Sequence, residues 1–311
     1  MTTSSHADGD IAQRESTARS SLVHGLQGML MGSADIIPGV SGGTVALILG
    51  IYERLVDSIH DVASAIASAA RGDRTGARAH WRRADFALVL PLVVGILVAL
   101  VIGSLVLPPV IERYPVVTSA VFFGLIAGAL PIPWRRIADR GHRHYVLAAL
   151  GALIAFVLAG LTPVSIDHPS LLVVFGAAAI AICAMILPGV SGAYLLLIMG
   201  LYEVTLEAVG ALDLAYIGVF AAGAATGLAG FSKLLSWLLD AHQDATMAVL
   251  VGLMAGSLRR LWPWQDDVGG LQAPDGVDGA MLALACATIG LGIVVALTHY
   301  GERGERTQPT G

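Results

Sequence analysis

Two short stretches of the sequence combine hydroxyl groups, glycines and a proline in a pattern that suits anion binding. They read ADIIPGVSGGT at residues 34–44 and AMILPGVSGAY at residues 184–194. Each proline interrupts a helix, and the glycines let another group approach the backbone. The apolar run after each cluster then starts with free N–H groups, which together with the hydroxyls favour a phosphate or another oxyanion. The predicted binding residues are Pro38, Gly39, Ser41, Gly42, Gly43, Thr44, Pro188, Gly189, Ser191 and Gly192.

Charged residues around these stretches are candidates for ion coupling or for steering an anionic headgroup. Asp35 lies just before the first proline, and Met185 takes its place in the second stretch. A carboxylate near membrane depth favours a role in protonation or cation coupling, with helix capping or a shallow position as the alternative. The other candidates are Glu53, Arg54, Glu203, Lys233, Arg259 and Arg260, for which anchoring at the membrane interface is the alternative.

The serine-centred motif also matches two hydrolase patterns. GVSGG fits the G-x-S-x-G nucleophile elbow, which requires a parallel sheet that this apolar chain cannot make. GVSG fits the G-x-S-G of intramembrane serine proteases, which need a histidine at membrane depth, and the nine histidines lie mostly in tails and loops. Duplication of the serine favours a symmetric binding role. An intramembrane serine hydrolase is therefore the less favoured alternative, and we expect no enzymatic activity.

Membrane-spanning helices are the elements that must position these groups. Of the 311 residues, 56% are hydrophobic and only 13% are charged, which predicts an all-α polytopic membrane protein. Predicted spans cover residues 86–109, 145–162, 214–238 and 280–298, with shorter ones at 116–131 and 245–258. Two further apolar segments, 22–51 and 170–203, contain the two motif stretches at their centres. The two cysteines lie far apart, so we expect no disulfide, metal site or cofactor.

The chain also repeats itself in two halves. Residues 34–53 align with 184–203 at twelve identical positions of twenty, and FGLIAGAL at 123–130 aligns with VGLMAGSL at 251–258. Each half, 22–162 and 163–300, is predicted to hold one broken, re-entrant segment followed by about three spans. Because three is odd, the second half must be upside down, which is an inverted-topology repeat. The helix after each break is expected to continue to Glu53 or Glu203, about 16 Å from its start.

Basic residues predict the orientation of the chain. If both broken segments re-enter, most of the 18 Lys and Arg residues fall on one side, including the Arg-rich loop at 71–83. That side is expected to be cytoplasmic. Both termini then lie in the cytoplasm, as a disordered tail over residues 1–21 and a short tail over 301–311.

With the motifs ADIIPGVSGGT and ILPGVSG, each followed by a G-[IL]-Y-E sequence, the chain resembles the bacterial and archaeal polyprenyl-phosphate transporter family. The resemblance covers about residues 22–300. It implies transport of undecaprenyl phosphate, or a similar polyprenyl phosphate, from the outer to the inner leaflet of the cytoplasmic membrane, which recycles the carrier lipid of cell-wall synthesis. A proton or sodium ion is the expected coupling partner, and no nucleic acid is expected. A transporter or channel for a small anion is the alternative.

Overall fold

The computed structural model describes residues 4–37, 40–166, 168–266 and 269–306. Regular structure in these ranges is helical, apart from one isolated antiparallel bridge between Gln265 and Leu271. The first half contains α1 Ser4–Ile36, α2 Gly42–Ile48, α3 Tyr52–Ala70, α4 Arg74–Arg83, α5 Phe86–Arg113, α6 Pro115–Ala129, α7 Pro131–Arg135 and α8 His142–Leu158. The second contains α9 Leu171–Ile186, α10 Gly192–Ile198, α11 Tyr202–Gly210, α12 Leu214–Ala241, α13 Gln243–Ser257, a 3-10 helix Leu258–Leu261 and α14 Gly276–Arg306.

Within the described residues, four helices are long and apolar enough to cross a membrane. They cover Phe86–Arg113, Pro115–Arg135, Leu214–Ala241 and Gly276–His299, and α10 with α11 forms a further bent pair at 104°. The predicted spans at 145–162 and 245–258 correspond to the shorter helices α8 and α13. The chain is therefore an all-α, multi-pass membrane protein.

Two sequence predictions differ from the structure. Helix α1 begins at Ser4, inside the segment predicted to be a disordered tail, where the chain has no proline to stop a helix. Helices α2 and α10 end after seven residues and do not continue to Glu53 or Glu203. Both end because Gly50 and Gly200 adopt φ of 72° and 74°, which closes a left-handed helix cap. Each half thus has two breaks where the sequence analysis predicted one.

The order of elements is duplicated, and equivalent residues do equivalent work in the two halves. Asp85 accepts the N–H of Leu88 at the start of α5, and Asp213 accepts the N–H of Tyr216 at the start of α12. These two aspartates occupy matching positions in the sequence repeat. An N-terminal carboxylate cap stabilises a helix by about 1 kcal/mol. The internal repeat is therefore also a repeat of local structure.

Helices pack in two kinds of pairs. Helix α1 packs against α5 and α9 against α12, inside each half, while α6 packs against α14 and α8 against α13, across the halves. The crossing points are glycines whose backbones touch the partner helix: Gly124 meets Ala287, and its counterpart Gly252 meets Ala148. Without a hydrophobic driving force between helices in lipid, such close backbone contact supplies much of the attraction.

The bundle has two distinguishable ends. The Arg-loop end is defined by the ion pairs Arg54–Asp85 and Arg136–Glu53, and helices α1 and α5 start there. The tryptophan end is defined by Trp262 and its surroundings. Helices α1, α5, α8 and α13 run from the Arg-loop end to the tryptophan end, and α6, α9, α12 and α14 run the other way. Each of these helices therefore runs opposite to its counterpart, which is the direction that an inverted repeat requires.

Candidate functional site

The two motif stretches touch each other inside the bundle. The backbone N–H of Gly189 donates to Thr44 Oγ1 at 2.8 Å, and Ser41 Oγ is 3.2 Å from the carbonyl oxygen of Leu187, to which it donates. Ser41 and Thr44 are both 1% exposed. Pro38 and Gly39, which were predicted to share this site, lie outside the described residues. We call this contact between the two copies the motif contact.

Each motif serine caps the short helix that follows it. Ser41 Oγ accepts the N–H of Gly43 at the start of α2, and Ser191 Oγ accepts the N–H of Tyr194 at the start of α10. Such caps supply an acceptor for an N–H that the helix leaves without a partner. The partners of both hydroxyls in the described structure are backbone groups, whereas a serine nucleophile is activated by an adjacent base.

Asp35 occupies the place where the sequence predicted an external anion. Its Oδ1 accepts the N–H of Gly42 at 2.7 Å, in the first turn of α2. In the second copy, Met185 lies against Gly192 in the same way, with a thioether in place of the carboxylate. A phosphate at the start of α2 would therefore have to displace the Asp35 carboxylate. The phosphate cradle at the two breaks stays a prediction.

A cavity of about 500 Å³ lies on the Arg-loop side of the motif contact. Its walls are one face of α3, the first turns of α5, the end of α9 and the middle of α12, and its inner end is formed by Asp35, Gly42 and Gly43. Asp35 and Ser58 are polar residues of its lining, and the other lining residues are apolar residues, glycines and Tyr52. We call it the α3 groove.

A second cavity lies on the tryptophan side and has the opposite character. It has a volume of about 290 Å³ and reaches Ile37, beside the first break. Its polar lining includes Thr118, Ser119, Arg260 and Gln265, together with Asp266. We call it the arginine pocket. The residues that make the motif contact, Ser41, Thr44 and Gly189, line neither cavity.

Arg259 and Arg260 lie against aromatic rings beside the second motif. The Arg260 guanidinium is 4.9 Å from the centre of the Tyr194 ring, and that of Arg259 is 4.5 Å from the Phe156 ring. Arg259 Nε is buried without a hydrogen-bond partner. Arg260 lines the arginine pocket together with Asp266, and Arg259 Nη1 donates to the carbonyl oxygen of Phe156. Two cations held in this way are well placed to meet an anion.

The remaining predicted residues lie away from the motif contact. Glu53 and Arg54 form ion pairs with Arg136 and Asp85 at the Arg-loop end. Partial burial tends to raise the pKa of Asp85, but hydrogen bonds from Arg54 and from the Leu88 N–H outweigh it and lower that pKa below its usual value.

Two predicted residues lie at other surfaces of the molecule. Glu203 lines a separate cavity of about 490 Å³ together with His168 and Glu207. Lys233 is exposed on α12, one turn beyond the groove residue Ala229.

Two features of this region were not predicted from the sequence. The first is the α3 groove, whose only sequence signal is the amphipathic pattern of α3, an apolar face repeating every three or four residues. The second is the contact of Arg260 with Tyr194, because these residues are 66 positions apart in the sequence. Replacement of Thr44 by Tyr194 in the second motif was, like that of Asp35 by Met185, a visible sign that the two copies differ in their surroundings.

Comparison with known proteins gives a consistent assignment. A family model described as undecaprenyl phosphate translocase-like matches residues 31–277, which include both motifs. A polyprenyl-phosphate transporter of Vibrio cholerae is 35% identical over 241 residues, covering 78% of this chain and 77% of that protein. One of Staphylococcus aureus is 30% identical over 256 residues, covering 76% and 85% respectively. No solved structure matches the chain.

Proposed function

Because the chain belongs to the undecaprenyl phosphate translocase-like family, we propose that it is a secondary transporter for undecaprenyl phosphate or a similar polyprenyl phosphate. In this proposal the lipid moves from the outer to the inner leaflet of the cytoplasmic membrane, and the carrier is thereby recycled. Both termini lie in the cytoplasm, so that the Arg-loop end faces inward and the tryptophan end faces outward.

The observation that carries the proposal is the motif contact beside two unlike cavities. The polar arginine pocket reaches Ile37, just before the first break, and the apolar α3 groove reaches Gly42, just after it, while the hydrogen bond from Gly189 to Thr44 joins the two motif stretches next to that break. A lipid with a charged head and a long apolar chain needs both kinds of surface. A transporter must also keep the two sides from opening at the same time, and in this proposal the buried motif contact is the barrier.

The inverted repeat supplies a route between two open states. Helices of opposite direction related by a pseudo-two-fold axis can exchange conformations, so that whichever half opens inward in one state opens outward in the other. The motif contact joins the two halves at their breaks, where the backbone is irregular and a change in φ and ψ is least costly. In this proposal, Ser41, Thr44, Gly189 and Ser191 belong to the region that moves when the protein changes between the two states.

The charged residues take different roles in this scheme. Arg259 and Arg260 attract the phosphate on the outer side, where Arg260 lines the arginine pocket and Arg259 lies next to it in the chain. Asp35 is the candidate for coupling, since a proton or sodium ion on its carboxylate would weaken the bond to Gly42 and loosen α2. Lys233 and Arg54 are candidates for receiving the phosphate at the inner side.

Reconstitution in vesicles with a leaflet-specific assay for polyprenyl phosphate tests the proposal. We expect transfer between leaflets that depends on the protein and responds to an imposed proton or sodium gradient. A folded protein that transfers no polyprenyl phosphate would sink the proposal. Uptake of a small anion by vesicles that lack polyprenyl phosphate would favour the alternative function.

Two variant sets test the assigned roles in the same assay. The double variant Ser41→Ala with Ser191→Ala removes both caps and is expected to abolish transfer in protein that remains folded. Arg260→Gln is expected to lower transfer about tenfold or more, because it removes a charge-assisted contact to phosphate. The matched control is Arg113→Gln, an exposed arginine at the tryptophan end that also stacks on a tyrosine, Tyr114.

A further inference from the structure

The α3 groove is elongated and is covered by a single amphipathic helix. Lining residues on α3 run from Tyr52 to Ile66, a distance of about 21 Å along the helix. They recur every three or four positions, so one apolar face of α3 lines the groove, with Tyr52 and Val56 buried at its inner end and Ile66 exposed at its outer end. An apolar helix face over open space gains stability only when another apolar group fills that space.

The groove opens sideways into the lipid-facing surface of the protein. Ile66 is 62% exposed and Val93 is 43% exposed, and both line the groove. Val93 continues into the exposed apolar surface of α5, which includes Leu90 and Leu97. A hydrocarbon chain can therefore pass from the bilayer into the groove without crossing water.

The inner end of the groove excludes an anionic headgroup. Asp35 is the charged residue that lines it, and its carboxylate points at the start of α2. A phosphate brought beside this carboxylate would be repelled in a region of low dielectric constant. The part of a lipid that enters the groove must therefore be its apolar chain.

From these contacts we infer that the α3 groove is a binding site for the isoprenoid chain of the transported lipid, which is read there by its branched hydrocarbon. The inference rests on the proposed function and adds a source of selectivity. Phosphate contacts alone discriminate poorly against the abundant phospholipids of the bilayer, which also carry phosphate. Selectivity must then come from the chain, and the groove is where chain shape meets a defined protein surface.

Competition in the reconstituted assay tests the chain preference. Farnesyl phosphate and hexadecyl phosphate share a headgroup and differ in branching. We expect farnesyl phosphate to inhibit transfer of polyprenyl phosphate at about tenfold lower concentration than hexadecyl phosphate does. Equal inhibition by the two compounds would mean that an ordinary acyl chain fills the groove equally well, and would overturn the inference.

Filling the groove tests its location. Ala229→Phe on α12 and Ala63→Phe on α3 place a ring in the cavity from opposite walls. Both are expected to lower transfer about tenfold and to remove the preference for farnesyl phosphate. Ala221→Phe, at an exposed position of α12 outside the groove lining, is the matched control and should retain both.

The outcomes separate this inference from the proposed function. If wild-type protein transfers no polyprenyl phosphate, the function itself is wrong, whatever binds in the groove. If wild-type protein transfers the lipid and both filled variants do so at its rate with its preference, the groove is not the chain site. Should a filled variant fail to fold, the competition between the two phosphates on wild-type protein decides alone.

Discussion

The two copies of P-G-V-S-G share a backbone plan and differ in what surrounds it. In both, a serine caps a seven-residue helix that ends at a left-handed glycine. The first copy, however, holds the carboxylate of Asp35 against its helix and adjoins the apolar groove. The second holds Met185 in that place, which also lines the groove, and adjoins Arg260 through Tyr194. Both copies keep the helix break and its serine cap, while the nearby charged residue is an aspartate in the first copy and an arginine in the second.

The largest expected effect is at a left-handed glycine of the second copy that a neighbouring helix crowds, compared with a left-handed glycine of the first copy that has space around it. Gly189 has φ of 84°, and an added Cβ would lie 2.6 Å from the Met254 Cα, whereas Gly50 has φ of 72° and open space around it. We expect Gly189→Ala to destabilise the protein by more than about 3 kcal/mol and Gly50→Ala by only about 1 kcal/mol. Thermal unfolding in detergent measures both. Equal losses would show that the contact between Gly189 and α13 contributes nothing.

Thr44→Val tests whether the motif contact joins the copies energetically. The variant leaves the buried N–H of Gly189 without its acceptor, which should destabilise the closed state by about 1–3 kcal/mol. Thr44→Ser retains the acceptor and should behave like wild type. Thr226→Val, on the exposed face of α12, removes a hydroxyl that bonds only its own helix and serves as the control. A Thr44→Val protein as stable as that control would argue against the contact.

Asp35→Asn and Asp35→Met sharpen the difference in polarity between the copies. The amide keeps an acceptor for the Gly42 N–H, so we expect a stability change below about 1 kcal/mol and a loss of the response to ion gradients. The methionine reproduces the second copy, removes the acceptor and should cost about 1–3 kcal/mol. Transfer rates with and without gradients, beside unfolding midpoints, separate the two effects. An unchanged gradient response in Asp35→Asn would remove Asp35 from coupling.

The smallest expected effect compares the two cap aspartates. Asp85→Ala and Asp213→Ala should each cost about 1 kcal/mol, and Asp85→Ala should cost up to about 1 kcal/mol more, because it also loses Arg54 at a largely exposed site. The pKa of Asp85 is lower in the folded protein than in the unfolded chain, where it is about 4. The extra stability from Asp85 is therefore present above the unfolded pKa and is lost as the pH falls through the folded pKa. If unfolding midpoints are measured from neutral pH downward, those of Asp85→Ala and Asp213→Ala should therefore converge in strong acid.

The helical class and the repeat were predictable because they rest on composition and on identical residues. The Schellman-type helix ends at Gly50 and Gly200 fall on the glycine of each G-[IL]-Y-E sequence. The sequence alone does not distinguish a glycine that ends a helix from one that allows close helix packing. The prediction of longer half-helices was wrong for that reason. Capping by Ser41 and Ser191 follows from local rules, since a serine before an apolar helix is a common N-cap.

Contacts between distant parts of the chain could not be predicted in the same way. That Gly189 bonds Thr44, and that Arg260 lies on Tyr194, depends on how distant segments of the chain pack together. The hydrogen bond from the Gly42 N–H to Asp35 also changes the anion site predicted at the first break, because a carboxylate of the protein already accepts that N–H. A helix N-terminus favours an anion, and the chain supplies one of its own, seven residues earlier.

The pairing of α6 with α14 and of α8 with α13 has a consequence for synthesis of the protein. During translation, the glycine surface of α6 enters the membrane well before α14 has been made, and α8 likewise waits for α13. The first half therefore spends time in the bilayer with two helix faces uncovered, open to pairing with other chains or to capture by an insertion factor. The protein becomes a single folded unit only after its last helix has been inserted.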